Sequence, residues 1–217
     1  HLFHTSNAQF TPTGIDLGNL GFSKCVWGDY DNDGDLDILL AGYYTKIYKN
    51  NGNKTFTEVS VTFSGYGSIS VWIDYDNDND LDIFRGTKLY KNNGNDVFQE
   101  IIIEDLNDFN MGTSYFSSVD IIDYDNDGDD DLLIGFEGKI LMLNNKDGKF
   151  LMINQDLYGG ENIGNLYINN IWVDVNNDGF YDILSSKLHK NNNYNLYFID
   201  PDFYINDTGY KVSVGDY

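Results

Sequence analysis

Nine residues, Asp29 to Asp37, read DYDNDGDLD and constrain this chain more than any other stretch. Aspartate stands at positions 1, 3, 5 and 9, and Gly34 at position 6. Alternate side chains of a tight loop point toward a common centre, so Asp29, Asp31 and Asp33 converge. Gly34 permits the sharp turn that returns Asp37 as a fourth ligand, and the backbone carbonyl of Asp35 at position 7 completes a cage of hard oxygens. Without a cation these carboxylates repel one another. A set of six to eight oxygens suits calcium, whereas magnesium demands stricter octahedral geometry and retains more water.

The stretch recurs three times. Residues 74–82 read DYDNDNDLD, residues 123–131 read DYDNDGDDD, and residues 174–182 read DVNNDGFYD. The expected side-chain ligands are therefore Asp74, Asp76, Asp78 and Asp82 in the second loop. In the third they are Asp123, Asp125, Asp127 and Asp131, and in the fourth Asp174, Asn176, Asp178 and Asp182. The position-7 carbonyls belong to Asp80, Asp129 and Phe180. An EF-hand needs a bidentate Glu at position 12. Position 12 is Leu40, Arg85, Ile134 or Ser185, so that motif is excluded.

The acidity has a location. Of 35 acidic residues, 19 lie inside the four nine-residue stretches, and the formal net charge is -22. Such a balance repels phosphate backbones and argues against nucleic acid as a partner. No run of 18 apolar residues is present, so no transmembrane helix is expected. Hydrophobic residues at 41% and aromatics at 16% are enough for a packed core in 217 residues. Cys25 is the single cysteine, which excludes an intrachain disulfide, and its apolar neighbours suggest a small buried hydrophobe.

The loops begin at Asp29, Asp74, Asp123 and Asp174, so the period is 45 to 51 residues. Each copy reads alike. A short β-branched and aromatic run enters the loop (Cys25-Val26-Trp27, Val71-Trp72-Ile73, Ile121-Ile122, Ile171-Trp172-Val173), and a second leaves it, so the nine-mer connects two strands of a hairpin. A third strand follows, then Asn-Gly turn chemistry, then a fourth strand centred on Phe56, Phe98, Phe150 or Phe198. Four antiparallel strands at this period make a β-propeller blade. The expectation is an all-β partial propeller, an arc of about four to five blades, with a stacked-sheet solenoid as the alternative. The repeats are placed at 23–68, 69–116, 117–167 and 168–209. Residues 1–22, containing Phe10, read as the last strand of a preceding blade, and residues 210–217 as the first strand of a further one. The chain, which begins with His1, thus reads as one propeller segment of a longer product. Tryptophans 27, 72 and 172 are not followed by Asp, so WD repeats are excluded.

With these nine-mers, the lead-ins Trp27-Gly28-Asp29, Trp72-Ile73-Asp74 and Trp172-Val173-Asp174, and exits such as Leu36 to Gly42, the chain resembles the FG-GAP or VCBS repeat family. The resemblance covers almost the whole chain. It implies calcium, about four ions, in the hairpins between first and second strands. It also implies an extracellular or cell-surface setting and a role in adhesion or carbohydrate binding as part of a larger secreted protein. Seven blades are typical of the family, more than this chain supplies.

Three functional readings follow. In the first, calcium fixes the hairpins and variable loops, foremost Asn107 to Ser118 and Gly159 to Asn169, bind a protein or glycan partner. In the second, aromatics and Asn/Asp side chains between blades hold a sugar, as in a lectin. In the third, the propeller acts on polysaccharides. No Ser-His-Asp set or paired catalytic carboxylates stand out, and His1, His4 and His189 are scattered, so no enzyme is expected. Arg85 is read as half of a surface ion pair. Asp120, at a position held by Val26, Val71 and Ile171 elsewhere, is either a partner-bound charge facing the axial channel or the sign of a looser blade. Among the four loops, the fourth has three ligand carboxylates because Asn176 is neutral. It is expected to release calcium first on titration with chelator, and Asn176→Asp to tighten it. A fourth site that proves tightest would contradict that order.

Overall fold

The computed structural model describes residues 24–42, 44–64, 69–107, 116–136, 139–154, 171–184, 188–191 and 196–199. Within them the apolar runs flanking each acidic stretch form antiparallel strands. The first sheet holds β1 (Lys24–Gly28), β2 (Asp37–Ala41), β3 (Lys46–Asn50) and β4 (Phe56–Val59). The second holds β5 (Ser70–Ile73), β6 (Asp82–Arg85), β7 (Lys88–Asn92) and β8 (Phe98–Ile102). A single helical turn, α1 (Glu104–Asn107), precedes the third sheet of β9 (Phe116–Ile122), β10 (Asp131–Phe136), β11 (Lys139–Lys146) and β12 (Lys149–Asn154). The fourth holds β13 (Ile171–Val173), β14 (Asp182–Leu184), β15 (Leu188–Asn191) and β16 (Leu196–Ile199). Strands in every sheet follow chain order, the simple meander of a propeller blade. The architecture is that of a partial β-propeller.

The register fixes where each acidic loop sits. Gly28 pairs with Asp37, Ile73 with Asp82, Ile122 with Asp131 and Val173 with Asp182. Position 9 is thus the first residue of the second strand, and positions 1 to 8 form the connection. At the same end of the third blade, beside its acidic loop, Asp147 and Gly148 both have positive φ, 51° and 76°, and Asp147 N donates to Asp129 at 2.6 Å. They close the β11–β12 hairpin as a two-residue turn whose twist matches the strands.

The core lies between sheets rather than inside any one. Tyr30, Leu39, Ile47, Trp72, Ile83 and Tyr90 pack the first sheet on the second. Phe84, Leu89, Leu106, Leu132, Ile134 and Leu143 pack the second on the third. Tyr30 stacks on Trp72 with ring centroids 5.6 Å apart and planes 1° from parallel. Strands buried on both sides need no alternation of apolar and polar residues, and β2, β5 and β6 are buried throughout.

Several expectations require correction or fall outside the description. Cys25 is exposed, and Trp27 is 55% exposed, because no described residue covers the outer side of β1 as Tyr30 covers Trp72. Arg85 is buried, not on the surface. Its Nε donates to Thr45 Oγ1 (2.9 Å) and its Nη1 to the Ser64 carbonyl (2.9 Å), because a guanidinium taken from water must place its donors. Asp120 lies on β9 opposite Leu133, and burial raises its carboxyl to about 6 against the opposing pull of Lys24. Residues 1–23 and 200–217, the segment 155–170, residues 108–115 and the side chain of His189 lie outside the described residues.

At Gly28 the first two blades approach closely. A Cβ there would lie 2.6 Å from Trp72 Cδ1 and 2.8 Å from Leu81 Cδ1. Gly28→Ala is expected to destabilise the fold by about 1–3 kcal/mol through overpacking. At this chain length each kcal/mol lowers the melting temperature by about 2–4 °C. A calorimetric scan showing no change would mean that the interface is looser than described.

Candidate metal centre

Two left-handed residues shape each loop. The asparagine at position 4 (Asn32, Asn77, Asn126, Asn177) has φ of 57°, 57°, 56° and 55°. Position 6 has 90° at Gly34, 66° at Asn79, 97° at Gly128 and 88° at Gly179. A Cβ on Gly34, Gly128 or Gly179 would meet nothing within 4 Å, so glycine serves the backbone angle and not the space. Asparagine tolerates the same angle, which explains how Asn79 fills this place.

These turns aim backbone N–H groups at the first aspartate. Asp33 N and Gly34 N each donate to Asp29 at 3.0 Å. Asp127 N and Gly128 N do so to Asp123 at 3.0 Å, and Asp178 N and Gly179 N to Asp174 at 3.1 and 2.9 Å. In the second loop Asn79 N reaches Asp74 at 3.1 Å. The position-7 N–H donates to position 5 in all four loops, from Asp35, Asp80, Asp129 and Phe180 at 3.0, 2.9, 3.1 and 2.9 Å.

In the first three loops positions 1, 3 and 5 come together. Asp29, Asp31 and Asp33 each offer an oxygen within 4.8 Å of the others, as do Asp74, Asp76 and Asp78, and Asp123, Asp125 and Asp127. In each trio the Oδ1 of position 3 (Asp31, Asp76, Asp125) is buried without a hydrogen-bond partner, as is Asp74 Oδ1. An orphaned, buried anionic oxygen is costly unless a cation meets it, so a divalent ion fits these residues. In the fourth loop Asn176 instead donates from Nδ2 to Asp178 Oδ2 (2.8 Å) and accepts at Oδ1 from Asp178 N (3.0 Å).

Position 9 stands apart from the trios. Asp37, Asp82, Asp131 and Asp182 are fully buried. Asp37 accepts from Tyr30 N (3.2 Å) and Asn50 N (2.7 Å), Asp82 from Tyr75 N (3.3 Å) and Asn92 N (2.7 Å), and Asp131 from Tyr124 N (2.9 Å) and Asn145 N (2.7 Å). Val175 N donates to Asp182 at 3.2 Å. Burial raises Asp37 to about 6 and Asp82 and Asp131 to about 7, and these N–H bonds only partly oppose it. The position-7 side chains turn to the preceding loop: Asp80 accepts from Asn32 Nδ2 at 2.8 Å, and Asp129 from Asn77.

A family model described as FG-GAP-like repeat matches residues 29–85, 74–134 and 123–185, in register with the loops just described. The chain belongs to the FG-GAP-like repeat family. Among solved structures, a lectin of Agrocybe aegerita, whose title concerns specific recognition of non-reducing terminal N-acetylglucosamine, is similar with a TM-score of 0.56. Identity is 21%, over 80% of this chain and 50% of that one, a likeness of fold. This FG-GAP-like chain therefore spans about half the length of that lectin. No curated protein matches it.

Sequence reasoning missed the end of the third strand. Lys49-Asn50, Lys91-Asn92 and Asn144-Asn145 there supply the N–H that holds position 9 and a side chain that meets position 3. Asn92 Nδ2 also donates to the Tyr30 carbonyl (2.8 Å), and Asn145 Nδ2 to that of Tyr75 (2.7 Å), linking each loop to the preceding one. The signal was present as Lys-Asn directly before the Asn-Gly turns of the first two blades, with Asn144-Asn145 ahead of Asp147-Gly148 in the third.

The buried position-9 carboxylates set a pH dependence for the calcium-free protein. Their folded pKa values lie above the unfolded value near 3.9, so the folded state binds more protons between them. Their contribution is fully present below about pH 4 and is lost as pH rises through 6 to 7. Urea midpoints in chelator are expected to fall between pH 5 and 7.5. A midpoint that rises over that interval would contradict the assignment.

Proposed function

We propose that this FG-GAP-like chain is a calcium-stabilised recognition module of a larger extracellular or cell-surface protein, without enzymatic activity. The observation that carries the reading is the buried, partnerless oxygen of Asp31, Asp76 and Asp125 within three converging aspartate trios. In each loop the proposed ligands are the side chains at positions 1, 3, 5 and 9 and the carbonyl at position 7, with the fourth loop completing a set of about four. Position 9 remains in the set because a carboxylate offers about four lone-pair sites, and two N–H bonds leave others free. Calcium would supply the positive charge that lets these carboxylates stay converged. Extracellular modules work with calcium affinities in the range of about 10⁻⁴–10⁻³ M, which loops this exposed to solvent suit.

The partner is proposed to be a protein or a glycan held by loops on the blade faces. Support for a glycan comes from the lectin of the same fold and from exposed aromatics, Tyr44 at 71% and Tyr181 at 39%, that could stack on a sugar ring. The uncovered Trp27 supports continuation into further blades.

Two measurements test this. An ion that binds only the folded form adds about 2.7 kcal/mol when its free concentration is a hundredfold above its dissociation constant. Calcium is therefore expected to raise the melting temperature by several degrees per site over chelator, well beyond the effect of matched ionic strength. A melting curve indifferent to calcium would reduce the loops to acidic turns. A glycan array carrying terminal N-acetylglucosamine should give saturable, calcium-dependent binding under the lectin reading, and silence across the array would favour a protein partner. Turnover of a polysaccharide would overturn the non-enzymatic reading.

A further inference from the structure

The three described trios receive the same outside contact by two chemistries. In the first loop Lys49 Nζ grips Asp31 Oδ2 and lies 3.8 Å from Asp33 Oδ2. In the second, Lys91 Nζ grips Asp76 Oδ2 and lies 3.1 Å from Asp78 Oδ2. In the third the same place on β11 is Asn144, whose Nδ2 donates to Asp125 Oδ2 at 2.8 Å. In every case the contact takes one oxygen, Oδ2, of position 3. The other, Oδ1, is left buried and partnerless. One side chain thus holds the position-3 carboxylate by the same oxygen in each loop, and it is charged in the first two and neutral in the third.

That charge acts twice in the same direction. An ammonium beside Asp31 and Asp33, or Asp76 and Asp78, relieves the repulsion among carboxylates when the loop is empty, and so removes part of what a cation would gain. It also repels a divalent ion placed at the loop centre. Asn144 holds Asp125 without either effect. We infer that the residue ending the third strand is a positioning residue that sets the order in which the loops take up calcium, with the third loop filling before the first and second. This rests on the reading of the loops as calcium sites and adds a determinant that counting ligand carboxylates does not contain, since all three loops have the same four.

The test is a calcium titration of the ¹⁵N-labelled, chelator-stripped full chain, followed at the position-6 amides. Gly34, Asn79 and Gly128 donate directly to their own position-1 carboxylates and so report each loop separately. Gly128 is expected to saturate at lower calcium than the other two. Asn144→Lys should weaken the third site by about tenfold, the lower end of what outer contacts to a metal ligand contribute. Lys91→Asn should tighten the second site by a similar factor. Each variant carries a residue that a neighbouring blade already has at that place, and the opposite signs separate a charge effect from general loosening. If all three amides respond but the order is reversed, or both exchanges leave the constants within about twofold, the inference is overturned while the calcium reading stands. If no amide responds to calcium, the calcium reading falls and this inference with it.

Discussion

The buried carboxylate at position 9 is the interaction on which each blade depends. It begins the second strand, yet its two oxygens are held by an N–H of the acidic loop and an N–H at the end of the third strand. Two strands and a loop are thereby tied at one point. The carboxylate is fully buried, and burial alone would expel its charge, so the two N–H bonds are obligatory rather than incidental. With position 9 fixed, positions 1, 3 and 5 must lie around the remaining space, and their charges face one another there.

The blades communicate through the same loops. Tyr30 at position 2 stacks on Trp72 of the next sheet and donates from its hydroxyl to Asp96 (2.5 Å), while its carbonyl accepts from Asn92. Asn92 in turn places its own N–H on Asp82 of the second loop. A change in the first loop therefore meets the second through one residue, and Asn145 repeats the arrangement one blade further on. Loop geometry and blade packing are consequently one problem, and a cation that ordered the loops would order the interfaces as well.

Much of this was legible in the residues. The four-strand repeat, the hairpin on each nine-mer and the convergence of positions 1, 3 and 5 follow from period and alternation, which local sterics enforce. Asn79 in place of glycine was readable because asparagine tolerates a left-handed backbone. What was not legible depends on distant contacts. One N–H bond to Asp37 comes from Asn50, 13 positions on and outside the nine-mer, and nothing in the nine-mer indicates it. Arg85 reads as a surface charge until Thr45 and the Ser64 carbonyl, both far along the chain, are seen to take its donors. Lys49 and Lys91 look like ordinary solvated lysines, and only the third dimension sets them on Asp31 and Asp76.

The central claim is that the converging oxygens of positions 1, 3 and 5 hold calcium. Its most direct test is a crystal structure grown in calcium, with anomalous scattering collected at a wavelength where calcium contributes. The account expects an anomalous peak at the centre of each trio, in contact with Oδ1 of Asp31, Asp76 and Asp125, together with contacts from Asp29, Asp74 and Asp123. Trios that show only water at saturating calcium, or carboxylates that splay apart and bring no oxygens together, would contradict it.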